Sequence, residues 1–204
     1  MTSYSNWQPG LSATIGETFM PMARLYELAG LVPADQQIVE VGSYCGKSAL
    51  TMAAGAKEGA GARVYHVDTW GLPIAPANPY NVIGNLGYII QRAEAMGLIS
   101  QITPIRGYSA EIATIRSWQI GLIFIDAGHY RADIESDIAA WLPQVMPGGW
   151  ALFHDYTYPL SPDVKLVLDE WYARVGPNGT GEWGQWRIIE PIEATWTVEA
   201  RRLP

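Results

Sequence analysis

The chain is poor in the residues that build redox, zinc-cluster and nucleic-acid chemistry. A single cysteine, Cys45, stands in 204 residues, which excludes an internal disulfide and a zinc centre built from cysteines. No run of Lys or Arg exceeds two residues and the net charge is −7, so nucleic acid is not an expected partner. No apolar stretch reaches the ~18 residues of a membrane span, and no membrane partner is expected. The first twenty residues lack the basic start and apolar centre of a secretory signal. A small-molecule partner and a cytoplasmic location are therefore expected. Charged residues are only 16% and apolar residues 49%, which suits one folded domain over 1–204 rather than a disordered chain.

What is present alternates between strand-like and helix-like segments. Residues 17–29 carry apolar side chains at helical spacing, with Gly30 as the expected stop; 1–30 reads as an N-terminal helical cap. The runs 37–41, 62–68, 101–107, 121–126 and 150–155 read as strands, and 47–58, 84–97, 109–115, 133–142 and 163–175 as helices. Pro147, Gly148 and Gly149 suggest a tight turn before residue 150. Residues 71–85 hold three prolines and little periodicity, and read as an active-site flap. The stretches 186–192 and 194–202 alternate as an antiparallel pair would, at a sheet edge that could also pair a second copy. The alternation predicts a doubly wound α/β fold with a mostly parallel sheet. Ligands of such sheets sit beyond the carboxyl ends of the strands, which singles out Glu40, Asp68, Asp126, His154 and Asp155.

The first glycine loop, IVEVGSYCGKSAL over 38–50, ends like a triphosphate loop. However, Gly42 and Gly46 enclose only three residues, one fewer than that loop needs. Glu40 would also face the phosphates: two unit charges ~4 Å apart repel by roughly 4 kcal/mol at an effective dielectric of ~20. The dinucleotide pattern GxGxxG fails because Ser43 and Tyr44 replace its second step. Asp68, at the end of VYHVD, suits the hydroxyls of a ribose. A ligand with a ribose at one end and positive charge at the other is S-adenosyl-L-methionine, for which Glu40 is an asset and the glycines allow close backbone approach.

The pattern ExGxxxGxS, carried by Glu40, Gly42, Gly46 and Ser48, resembles motif I of the class I S-adenosylmethionine-dependent methyltransferases. VDTW (67–70), RGYSAEIA (106–113), FIDAGHYRADIESDIAAWLPQVMPGGW (124–150) and FHDY (153–156) extend the resemblance toward small-molecule O-methyltransferases that include macrolide-sugar enzymes. It implies a seven-stranded Rossmann-like sheet, with S-adenosylhomocysteine as product and a small hydroxylated acceptor. By resemblance, Glu40 and Gly42 line the methionine end, Asp68 the ribose, and Tyr108 and Ser109 the adenine, although the family often has Asp where Tyr108 stands. Ser43, Gly46, Ser48, Trp70 and Asp126 complete the candidate cofactor set.

A second constellation follows the later strands. Transfer to a hydroxyl requires removal of its proton, by an imidazole or with help from a metal. In the resembling sugar enzymes the position of Asp126 and the pair at 154–155 bind magnesium, and the position of His129 is the base. His154 replaces a carboxylate there, which would favour manganese, iron or zinc over magnesium, or leave His154 as a base or substrate contact without metal. The candidates are thus His129 and Asp126 as catalytic residues, and Asp126, His154 and Asp155 as metal ligands. His66 reads as core filler, Cys45 as packing, Lys47 as a helix-start charge, and Asp133, Glu135 and Asp137 as solvated first turns of a helix. Trp70, Tyr80 and Tyr156 are candidate pocket aromatics, and Asn81 and Asn85 candidate substrate contacts. Three competing readings stay open: an oxygenase with a two-His, one-carboxylate iron site, a non-catalytic nucleoside-binding module, and a phosphate-loop NTPase.

Overall fold

A computed structural model describes residues 3–15, 20–73, 82–176, 186–192 and 195–204. The β-branched runs form the strands β1 (Gln37–Val41), β2 (Arg63–Asp68), β3 (Ile102–Arg106), β4 (Ile120–Ile125), β5 (Val145–Phe153), β6 (Trp186–Ile192) and β7 (Thr197–Arg202). They make one sheet in the order β3-β2-β1-β4-β5-β7-β6. All neighbours are parallel except β7, which runs antiparallel to both β5 and β6. The expected seven-stranded, mostly parallel sheet with its antiparallel C-terminal pair is what forms. Central β4 is buried at every position, as a strand covered on both faces must be.

Among the described residues seven α-helices flank the sheet: α1 (Tyr4–Ser12), α2 (Met22–Leu31), α3 (Lys47–Glu58), α4 (Ile83–Ala95), α5 (Ser109–Ala113), α6 (Arg131–Trp141) and α7 (Pro162–Val175). One core packs α1 to α4 on one face, around Leu25, Leu28, Leu50, Met52 and Trp70. The other lies under α5 to α7 and holds Trp118, Trp141, Trp171 and Trp186. Each such side chain contributes ~1.5–3 kcal/mol when taken from water. Among the described residues, no helix is long and apolar enough to cross a membrane.

Local corrections have physical causes. Gly30 does not stop α2, which runs on to Leu31. A Cβ on Gly55 of α3 would lie 2.1 Å from the Tyr26 carbonyl oxygen, and one on Gly59 2.1 Å from that of Gly30; these glycines let α2 and α3 touch backbone to backbone. The helix ends where Val32 turns extended ahead of Pro33, a position that disfavours helix. Pro147, Gly148 and Gly149 do not form a turn before the last parallel strand. They lie inside β5, where the pairing with β4 shifts register between Ile120 and Leu122 and Gly148 takes φ +82°, as in a bulge. α1 forms despite Pro9 at its centre. Of the expected flap, residues 74–81, with Tyr80 and Asn81, lie outside the described residues, and Asn85 sits in the first turn of α4. Toward the C-terminal side of the sheet, the Arg24 guanidinium clasps the Glu199 carboxylate with two contacts of 2.8 Å, joining α2 to β7.

Candidate active site

Strand order reverses between β1 and β4, so the chain leaves these two neighbours toward opposite faces and opens a crevice at their carboxyl ends. β1 gives way to Gly42, which takes φ +84°; a Cβ there would fall 2.0 Å from the Asp126 carbonyl oxygen. Only glycine lets the loop after β1 lie against the chain leaving β4. Gly46, at φ +77°, starts α3. Between them the loop wraps around Asp68, whose Oδ2 accepts the backbone N–H of Ser43 and of Tyr44, each at 2.9 Å. Its Oδ1 accepts from the Trp70 N–H at 2.9 Å. A carboxylate offers about four acceptor sites, so these three bonds leave room for another donor. Trp70 does not present a face to the crevice: its indole is 1% exposed, and its Nε1–H donates to the Tyr44 carbonyl at 3.2 Å. It braces the loop from within.

Glu40 lies beneath the same loop with no exposed surface. Its Oε1 accepts from the Ser48 hydroxyl, and its Oε2 has no hydrogen-bond partner among the described residues. Burial pushes its pKa up to about 8; the Ser48 and Ser43 hydroxyls pull the other way, while the Asp126 and Asp68 carboxylates push further up. A loop ringed by three carboxylates is a poor seat for a polyphosphate and a good one for a cation. His66, which the sequence suggested was filler, sits 3.0 Å from the Ser43 hydroxyl through Nδ1, with both groups buried.

The second constellation converges as expected. Backbone bonds from Asp126 N to the Val41 carbonyl (2.8 Å) and from His154 N to the Ile125 carbonyl (3.0 Å) hold the ends of β4 and β5 level. His154 Nδ1 lies 3.1 Å from Asp126 Oδ1 and 3.3 Å from Asp155 Oδ1, and His129 Nε2 lies 2.8 Å from Asp155 Oδ2. Asp155 has φ +59°, a strained conformation of the kind found at functional positions. Burial alone would raise its pKa, but hydrogen bonds from both histidines hold the carboxyl below its usual range. Burial alone would lower the pKa of His154, yet Asp126 and Asp155 push it up to about 10. The hydrogen bond to Asp155 raises the pKa of His129 against the opposing effect of burial. Burial raises that of Asp126, and His154 opposes it. A small cavity of about 20 Å³ opens here, bounded by these four side chains and floored by Ile134, Phe153, Val164 and Leu168. Sequence reasoning missed Ser161, the N-cap of α7, whose hydroxyl is 3.2 Å from His129 Nδ1. Its place directly before Pro162, at a helix start, was the available signal.

At the remaining corner, Ser109 Oγ donates to Asp137 at 2.5 Å and accepts from Trp141 Nε1 at 2.7 Å. Asp137 is 5% exposed, not in a solvated turn, and burial pushes its pKa up to about 6, with the Ser109 bond opposing and the Asp133 charge assisting. The Tyr108 hydroxyl donates to the Pro73 carbonyl at 2.7 Å. Tyr156 donates to Asp169 at 2.7 Å.

The strand order and the glycine loop between β1 and α3 define a methyltransferase-type fold. Residues 39–156 match the family described as "methyltransferase domain", more than half of the chain. The chain belongs to that family, and it is an S-adenosylmethionine-dependent methyltransferase. Solved structures agree on the fold. The O-methyltransferase NovP is 15% identical with a TM-score of 0.66, over 90% of this chain and 79% of its own. CalS11, a TDP-rhamnose 3′-O-methyltransferase of calicheamicin biosynthesis, is 17% identical with a TM-score of 0.61, over 97% and 92%. An rRNA methylase from Streptococcus thermophilus is 16% identical with a TM-score of 0.60, over 93% and 100%. A TDP-rhamnose methyltransferase and an rRNA methylase share this fold, so it does not name an acceptor for this chain.

Proposed function

We propose that the chain moves the methyl group of S-adenosylmethionine to a hydroxyl of a small molecule. The observation that carries this is the His129–Asp155 pair, 2.8 Å apart, set beside Asp126 and His154 at the strand ends that adjoin the glycine loop. Glu40, which burial keeps protonated up to about pH 8 before the cofactor binds, ionises against the cationic methionine end, Asp68 has an acceptor site left for the ribose, and Tyr108 and Ser109 border the adenine. Asp155 orients the His129 ring through Nε2. The acceptor hydroxyl replaces Ser161 at Nδ1 and gives up its proton there as its oxygen attacks the methyl carbon. The carbon–sulfur bond breaks, its electron pair stays on sulfur, and S-adenosylhomocysteine and a methyl ether result.

Asp126, His154 and Asp155 offer one nitrogen and two oxygens within 4.8 Å of one another, a donor set that fits a divalent ion such as manganese, iron or zinc better than magnesium. Bound there, such an ion would lower the pKa of the acceptor hydroxyl. The three donors within 4.8 Å of one another are one imidazole and two carboxylates, while His129 is turned onto Asp155, which does not favour the two-His, one-carboxylate iron site of an oxygenase.

Calorimetry with S-adenosylhomocysteine and with ATP, each with and without manganese or magnesium, tests cofactor and metal together. Binding of the first ligand and not the second is expected, and the reverse would overturn the reading. His129→Ala should lower turnover by ~10²–10⁴-fold with unchanged affinity for S-adenosylhomocysteine. Full activity, or loss of cofactor binding, would remove His129 from its role.

A further inference from the structure

We propose that His66 is a positioning residue for the cofactor: its Nδ1–H donates to the Ser43 hydroxyl, turns the Ser43 O–H toward Glu40, and so fixes that carboxylate beneath the loop. The inference rests on Glu40 facing the cationic end of S-adenosylmethionine. The parallel pairing of β1 with β2 sets Glu40 directly opposite His66, so both side chains stand on the same face of the sheet. Neither has exposed surface. Ser43 stands at the loop above them, its hydroxyl 3.0 Å from His66 Nδ1. The backbone N–H of the same residue holds Asp68 at 2.9 Å. Ser43 thus ties the carboxylate expected at the ribose to the one expected at the methionine end.

Proton counting selects the tautomer. A serine hydroxyl has one proton; with Glu40 ionised against the cofactor and its Oε2 unpartnered among the described residues, Ser43 turns that proton toward the carboxylate and must then accept from His66. Neutral imidazole carries one N–H, so Nε2 is then a bare acceptor. Among the described residues Nε2 has no partner, and it lies in a ring set edge-on to Trp70, at 5.3 Å between centroids. Buried orphan N–H groups are rarer than under-satisfied acceptors, so the Nδ1–H form suits this enclosure. Burial also keeps the ring uncharged, with its pKa pushed down to about 3. The groups acting on Glu40 are Ser48 from α3, Ser43 from the loop, Asp68 from the end of β2 and Asp126 after β4, with His66 opposite on β2. None of these is a cation, so His66 acts by hydrogen-bond direction and not by charge.

Three substitutions separate direction from packing. Asn places an amide nitrogen near the position of Nδ1, Gln places one near Nε2, and Phe keeps a ring without either. Affinity for S-adenosylhomocysteine is measured by calorimetry on the full chain from pH 6 to 9, with steady-state kinetics alongside. His66→Phe and His66→Gln should weaken binding about tenfold, the scale of one hydrogen bond to a charged group. They should also move the rise of affinity with pH to higher pH and raise KM for S-adenosylmethionine at nearly constant kcat. His66→Asn should stay within about threefold of the natural chain. Long-range ¹⁵N–¹H correlation on the unmodified protein should show His66 protonated at Nδ1, a readout that survives if a variant fails to fold. An Nε2–H tautomer, wild-type affinity in His66→Phe, or equal loss in the Asn and Phe variants would each overturn the proposal. Glu40→Gln tells the two failures apart. If it leaves affinity unchanged, the cofactor role of Glu40 falls and this inference with it; if it weakens binding while the His66 variants do not, only the role of His66 falls.

Discussion

Glu40→Gln should stabilise the ligand-free protein at alkaline pH and cost it the cofactor. The carboxyl is fully buried and its pKa lies at about 8 against an ordinary 4.5. The folded state therefore holds this proton more tightly than the unfolded chain does. The stability it favours is complete below about 4.5 and is lost as pH rises through about 8. At ~1.36 kcal/mol per pH unit, the gap from 4.5 to about 8 amounts to at most ~5 kcal/mol. Glutamine removes the titration but leaves an amide nitrogen in place of an oxygen that has no partner among the described residues, which costs ~1–3 kcal/mol at every pH. The variant should thus melt slightly below the natural chain near pH 5.5. Near pH 9 it should melt above it, by ~2–4 kcal/mol, or ~4–16 °C for a chain of this size. Saturating S-adenosylhomocysteine should reverse the alkaline advantage, since the natural carboxylate gains a cationic partner. Differential scanning calorimetry from pH 5.5 to 9, with and without ligand, measures all of this. Parallel melting curves for the two proteins across that range would refute the reasoning.

Two further outcomes follow from packing. Gly42→Ala places a methyl group against the Asp126 carbonyl at a left-handed φ, so it should cost ~3 kcal/mol or more in urea unfolding, and binding of S-adenosylhomocysteine should fall with it. Arg24→Ala leaves Glu199 buried without its two bonds. Because Arg24 is about a third exposed and Glu199 nearly enclosed, a loss of ~1–3 kcal/mol is expected, and adding Glu199→Gln should recover part of it in thermal denaturation.

The sheet was readable because its signal is local. Val39, Val41, Ile123 and Ile125 are β-branched neighbours in short runs, and each run ends in a polar or glycine residue that a strand tip requires. Asp126, His129, His154 and Asp155 were readable for the same reason, lying just beyond two such runs. What escaped depends on contacts far apart in sequence. Nothing near Asp137 reveals that Ser109, 28 positions earlier, bonds to it. Gly30 carries a helix-stop signal that close packing against α3 overrides. His66 looked ordinary because its significance lies in its cross-strand partner, Glu40, and in a serine of the next loop.

The Arg24–Glu199 clasp joins residues 175 positions apart. A ribosome releases the front of the chain long before the last strand emerges, so α2 must wait for its acidic partner until synthesis is nearly finished. Contacts of such span slow folding. Closing this one is consequently a late event, and nascent chains halted short of β7 hold a sheet whose outer parallel strand is uncovered and open to association.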